Sequence, residues 1–227
     1  MGRPKALDRK QQLLEEILEY LRTRTLSSVT FRTLADALGV SSYVLVYQFG
    51  NREALIGDIV REIDYRVTYS GLPNELEVDY AEFEALVERG LGELFTAESR
   101  HLLRLQVEAA VLDAVSENPK GNLAQFQHLW SALVVEFVMQ LGVSKEDAEA
   151  LGAGLINTFG GIRLDYVLNG NDAEARRNVA ASMKLLRELV VARLGGPEAA
   201  EDAMKKRVSV TLDAPALAVA QRPNPAR

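Results

Sequence analysis

Apolar residues recur at helical spacing along almost the whole chain. Leu13, Leu14, Ile17, Leu18 and Leu21 form one stripe, and Asp8 with Gln11 ahead of it makes a capping-box pattern. Leu34, Ala35 and Leu38 form a second, shorter stripe that ends at Gly39, and Leu45 with Phe49 a third that ends at Gly50-Asn51. From Arg52 a longer pattern through Leu55, Ile56, Ile59, Val60, Ile63 and Val67 runs without a breaker to about Ser70, where Gly71-Leu72-Pro73-Asn74 stops it. Long amphipathic segments follow at about Val78–Phe95, Glu98–Val115, Asn122–Leu141, Ser144–Leu168 and Asp172–Leu194. Strand signal is almost absent, so the pattern predicts an all-α chain of about nine helices. From Gly196 onward Pro, Ala and charges dominate and the periodicity fades. RVSVTL could form a short extended piece, but residues 197–227 read as a largely unpacked tail.

The shortest elements carry the most specific pattern. Thr30, Ser41 and Asn51 each stand where a side-chain oxygen can accept a hydrogen bond from an unpaired N–H at a helix start, and Glu53 suits the first turn after Asn51. Gly39 sits where one helix must stop and turn sharply, and Val40 can plug the corner. Two short helices, a glycine turn and an apolar inner edge describe a helix-turn-helix. Its second helix turns Ser42, Tyr43, Val44, Tyr47 and Gln48 outward. Those residues offer hydroxyls, an amide and an apolar group but no acid, which suits base edges and phosphates. An ordinary helical hairpin inside an all-α protein satisfies the same periodicity.

The order of the residues favours the first reading. FRTLADALGVSSYVLVYQFGNREALI resembles the DNA-binding signature of the TetR family of bacterial transcriptional regulators, T-x-R-x-I-A-x-x-x-G-V-S-x-x-x-L-Y-x-H-F-x-x-K-x-x-L. Thr30, Arg32, Leu34, Ala35, Gly39, Val40, Ser41, Leu45, Phe49, Arg52 and Leu55 fit that pattern. Val46 and Gln48 stand where the family has Tyr and His, residues that commonly contact phosphates; Gln48 can still donate a hydrogen bond and Val46 cannot, while Tyr47 is a neighbouring substitute. The resemblance implies an N-terminal three-helix DNA-binding domain, residues 1–51, that contacts duplex DNA through Thr30, Arg32, Ser41, Ser42, Tyr43, Val44, Tyr47, Gln48 and Arg52. The basic arm MGRPK could add Arg3 and Lys5, reaching the minor groove or phosphates, or it could simply be a loose start.

It also implies a C-terminal helical bundle, residues 52–196, for effector binding and dimerisation. The effector candidates are Tyr65, Tyr69, Phe83, Trp130, Phe137 and Phe159, with His101, Arg104, Gln106 and Asn157 as polar groups on apolar helices; Phe95, Tyr166 and Thr158 stand beside them. Plain core packing accounts for any one of the aromatics equally well. LGAGLINTFGGIRLDY places Gly152, Gly154, Gly160 and Gly161 inside a helical run, where each costs about 1 kcal/mol against alanine. Close helix approach or a kink beside a cavity would explain them. In this family the last two long helices form a four-helix interface between two subunits. Leu151, Leu155, Ile162, Tyr166, Val179, Met183, Leu186 and Val190 are the candidates here, with core packing inside one subunit as the competing account.

Composition limits the other options. At 48% hydrophobic and 26% charged residues the chain has an ordinary globular balance. It has no cysteine, and His101 and His128 stand far apart, so no metal site or other cofactor is expected. There is no nucleophile elbow, metal-ligand triplet or phosphate-cradling loop, so an enzyme is not expected either. No apolar run reaches the length of a membrane span and no signal peptide opens the chain, which predicts a cytoplasmic protein that does not bind membranes. The net charge of −6 argues against nucleic acid only as an average, because through Glu62 there are nine Lys/Arg against eight Asp/Glu. The expectation is a homodimeric regulator, a repressor released by a small, mostly apolar effector and bound to a pseudo-palindromic operator. An all-α ligand-binding protein or enzyme with a merely structural hairpin is the alternative.

Overall fold

The computed structural model describes residues 6–68, 75–115 and 122–211. Two compact units divide the chain, one of residues 1–68 with 101–120 and one of 69–100 with 121–227. The first, N-terminal unit thus extends beyond residue 51, since it takes in both the helix that follows and a later helix.

The N-terminal unit contains α1 (Ala6–Tyr20), two single 3-10 turns at Leu21–Thr23 and Leu26–Ser28, α2 (Phe31–Leu38), α3 (Ser42–Phe49) and α4 (Arg52–Thr68). The stripes read from the sequence are its core: Leu13, Ile17, Leu21, Leu34, Leu45, Leu55, Ile59 and Ile63 are fully buried. Burying each such side chain contributes about 1.5–3 kcal/mol. Helix α1 begins at Ala6, ahead of Asp8, and the side chain of Asp8, on which the expected capping box with Gln11 rests, lies outside the described residues.

After α5, the helix Tyr80–Leu94 of the other unit, comes α6 (Arg100–Ala114), of which all but the first residue belongs to the N-terminal unit. On α6, Arg104 donates to the carbonyls of Leu21 at 2.6 Å and Arg24 at 3.1 Å. Glu108 accepts from the Leu26 N–H at 2.8 Å and pairs with Arg104. This charged pair ties down the backbone between α1 and α2, where helix ends leave polar groups unpaired.

The C-terminal unit is a helical bundle of α5, α7 (Asn122–Gln140), α8 (Lys145–Asn169), α9 (Asp172–Arg193) and α10 (Pro197–Lys205). A two-stranded antiparallel ribbon, β1 (Glu75–Val78) with β2 (Val208–Thr211), sets Glu75 opposite Thr211 and Val78 opposite Val208. The chain is therefore all-α in class, with ten α-helices among the described residues. Ser144 caps α8 and Asn171 caps α9. Arg100 closes the other end of α8, donating to the carbonyls of Val167 and Leu168, where a cation also meets the negative end of the helix dipole. Gly152 allows α7 and α8 to pack closely, because a Cβ there would lie 2.8 Å from Val135 Cγ2.

The tail expected to be unpacked from residue 197 is folded to residue 211. Pro197 opens α10 and buries Ala200, and the alternation of β2 buries Val208 and Val210. Residues 212–227 lie outside the described residues.

Candidate nucleic-acid interface

The turn between α2 and α3 is built from local interactions. Thr30 Oγ1 accepts from the Thr33 N–H at 3.0 Å, and the Thr30 N–H donates back to Thr33 Oγ1 at 3.0 Å. This reciprocal cap fixes where α2 starts. Gly39 ends it with φ of 65°, a left-handed conformation that a side chain would disfavour, and the N–H groups of Gly39 and Val40 both return to the Ala35 carbonyl. Ser41 then caps α3 through the Val44 N–H at 3.4 Å. Asn51 Oδ1 caps α4 through the Ala54 N–H at 2.8 Å. Beneath this frame Leu34, Ala35, Leu45 and Phe49 are buried, which sets the rotation of α3 about its axis.

That rotation leaves an unusual face outside. Tyr43 is 77% exposed, Tyr47 72% and Val46 45%, and Ser42 is exposed beside them. Val44 and Gln48 are only half-exposed. The eight residues of α3 include no charged side chain. Val46 belongs to this outer face although it was not among the sequence candidates. The spacing of 43, 46 and 47 at i, i+3 and i+4 carried the signal, which the hydroxyl that Val46 lacks had obscured.

The charges around the motif are largely engaged. Lys10 pairs with Asp58 at 2.6 Å, Arg9 with Glu16 at 3.5 Å, Arg22 with Glu19 at 3.3 Å, and Arg66 with both Glu62 and Glu15. The hydrogen bond from Arg66 holds the Glu15 carboxyl below its ordinary range, against the opposing effect of partial burial. Arg32 is exposed on α2 and makes no hydrogen bond or ion pair among the described residues. Arg52, expected at a phosphate, donates to the carbonyls of Val29 at 2.8 Å and Ser27 at 3.4 Å, which braces the loop ahead of α2. Arg3 and Lys5 lie outside the described residues.

The effector candidates are divided between the two units. His101, Arg104 and Gln106 belong to the N-terminal unit, where Arg104 donates to the backbone carbonyls described above. Tyr69 lies outside the described residues, as does the side chain of Tyr65. Phe83 and Phe137 are fully buried and stacked at 4.0 Å, with Tyr80 against Phe137 at 5.9 Å. Phe159 is buried, whereas Asn157 and Thr158 are exposed. The Tyr80 hydroxyl and Trp130 Nε1 are buried without a hydrogen-bond partner among the described residues. Burial raises the Tyr80 phenol well above the usual tyrosine range. Tyr80 was not a sequence candidate, since a tyrosine at a helix start gives no sign of which way its hydroxyl faces.

The eight interface candidates on α8 and α9, from Leu151 to Val190, are all buried within this single chain. They pack α8 and α9 into their own bundle and are not available as outer surface. The large apolar residues these helices do expose are Leu164, Leu168, Leu185 and Leu189. Ala150, Ala153, Gly154 and Gly161 are exposed on α8 as well.

Among the described residues no cluster of three or more His, Asp or Glu could hold a metal ion, and no helix is long and apolar enough to cross a membrane. No protein-family model matches the chain, and no curated protein does. Among solved structures it is similar to a TetR variant from Acinetobacter baumannii AYE in complex with minocycline. The TM-score is 0.49 and the identity 20%, over 81% of this chain and 94% of that one.

Proposed function

We propose that this chain is a sequence-specific DNA-binding transcriptional regulator of the TetR type. The observation that carries this reading is α3, a capped helix seated on a glycine turn with Tyr43, Val46 and Tyr47 projecting from it into solvent. Large apolar side chains held outward on a short, rigidly placed helix fit a major groove, and Ser42 and the tyrosine hydroxyls can reach phosphates at its edges. Arg32, exposed and without a partner among the described residues, adds a cation from the supporting helix. The signature from Thr30 to Leu55 supports the same reading.

The protein acts as a homodimer in this proposal. A second copy covers Leu164 and Leu168 on α8 and Leu185 and Leu189 on α9. Two-fold symmetry then calls for an inverted-repeat operator whose half-sites lie about one DNA turn, roughly 34 Å, apart or a multiple of it. An apolar effector enters the C-terminal bundle near Phe83 and Phe137, where an acceptor on the ligand would satisfy the Tyr80 hydroxyl. Binding moves α4, changes the spacing of the two reading helices and releases DNA, provided the effector prefers the released conformation.

Selection of bound sequences from a random duplex library at moderate salt tests the reading. Recovery of an inverted repeat with two similar half-sites is the expected result. Recovery of nothing above background would overturn it and leave the hairpin as a structural element.

A further inference from the structure

We infer that α3 reads thymine: its half-site is selected chiefly by thymine C5-methyl groups in the major groove, and only secondarily by hydrogen bonds to bases. This rests on the DNA-binding reading above and names the kind of DNA it recognises. Side chains distinguish base pairs in the major groove in a few ways. Arg and Lys pair with guanine, Asp and Glu with cytosine, Asn and Gln with adenine, and apolar groups with the thymine methyl. Helix α3, SYVLVYQF, has no charged residue, so it lacks the first two. Its amide, Gln48, is half-buried, and Ser42 accepts either sense of hydrogen bond and discriminates weakly.

What remains is the apolar patch. Tyr43, Val46 and Tyr47 stand on one face at i, i+3 and i+4, so two aryl rings and an isopropyl group are exposed together. The buried positions of Leu45 and Phe49 prevent α3 from rolling this face inward, so the patch stays presented. Contact with such a patch removes a thymine methyl from water, worth about four-fold in affinity for each methyl fully covered. Two or three methyls per half-site, added over both half-sites, would give a substantial preference for A·T-containing sites. Arg32 lies on α2, outside the patch, and serves as a phosphate contact in this arrangement.

The test uses the full-length protein and the operator recovered by selection. Each half-site thymine is replaced in turn by deoxyuridine, which deletes the methyl and leaves every hydrogen-bonding edge unchanged. Expected is a loss of about four-fold per contacted methyl, and a smaller loss at one of those positions with Val46→Ala. Val46 is exposed, so this variant should unfold at the temperature of the parent. If DNA is bound but deoxyuridine substitution changes nothing, or if the half-sites are G·C-rich without fixed thymines, the inference fails while the regulator reading stands. If selection recovers no operator at all, the regulator reading itself has failed.

Discussion

Helices α3 and α8 both leave apolar surface uncovered, and they do it in opposite ways. Helix α3 is eight residues long and exposes bulk, two tyrosines and a valine that project from the backbone. Helix α8 is 25 residues long, and the apolar residues it exposes are mostly small, Ala150, Ala153, Gly154 and Gly161, with leucines only toward its C-terminal end. Projecting side chains suit a groove that they must enter. A flat face of small residues suits another helix, because it lets two backbones come close. Under the proposed function, the contrast separates a surface for DNA from a surface for a second copy of the chain, using composition and shape rather than charge.

The largest effect should come from placing charge on the flat face. Leu168, 68% exposed, and Leu185, 56% exposed, both changed to Glu, would put like charges into the proposed contact between two copies. Sedimentation should then show a monomer where the parent sediments as a dimer. Since two linked half-site contacts reinforce each other, operator affinity should fall by about 100-fold or more. The monomer itself should stay folded, because neither residue belongs to its core. A parent protein that is already monomeric, or a variant that remains dimeric, would show that this face has another use.

A finer test compares glycines only two residues apart on α8. A Cβ at Gly152 would lie 2.8 Å from Val135 Cγ2 and 3.1 Å from the Ser131 carbonyl, so Gly152→Ala should overpack the α7–α8 contact and destabilise by about 1–3 kcal/mol. Gly154 meets nothing within 4 Å, so alanine there should gain about 1 kcal/mol of helix propensity in the single chain. Urea denaturation at low protein concentration should show these opposite signs. If Gly154 lies at a close contact between two copies, the same alanine that stabilises the chain should weaken the dimer. A Gly154→Ala protein with an unchanged dimerisation constant would place the contact elsewhere along the helix.

The same contrast explains what could be read from the sequence. Thr30, Ser41 and Asn51 were legible as caps because each acts on an N–H three residues away. The long helices were legible because their apolar stripes repeat over many turns. Helix α10 was not, since nine residues give a weak period, and of the ribbon only RVSVTL was suspected as extended, since β2 finds its partner about 130 residues back in the chain. The bracing roles of Arg52 and Arg104 were not legible, because their partners are backbone carbonyls, which look the same at every residue. The interface candidates were drawn from the apolar stripe of α8 and α9, but a helix has one such stripe and the bundle's own core uses it. The outward face carries glycine and alanine, which give no periodic signal.

The smallest effect concerns charge, which α3 lacks and its supporting frame uses. Glu15 on α1 accepts from Arg66 on α4, and that contact holds its carboxyl below the ordinary range, whereas the unfolded chain returns it to about 4.5. A depressed folded pKa means that the contribution is present in full above about pH 4.5 and disappears as pH falls through the folded value. The Glu15 side chain is 46% exposed, so solvent screening leaves only a few tenths of a kcal/mol, of the order found for surface ion pairs. Glu15→Gln should therefore lower stability slightly at pH 7 and by less at pH 3, and added salt should shrink the difference at pH 7. Urea midpoints at the two pH values would measure this. An equal loss at both would mean that the substituted amide disturbs packing, and that the pairs around α1 and α4 do not hold the frame through charge.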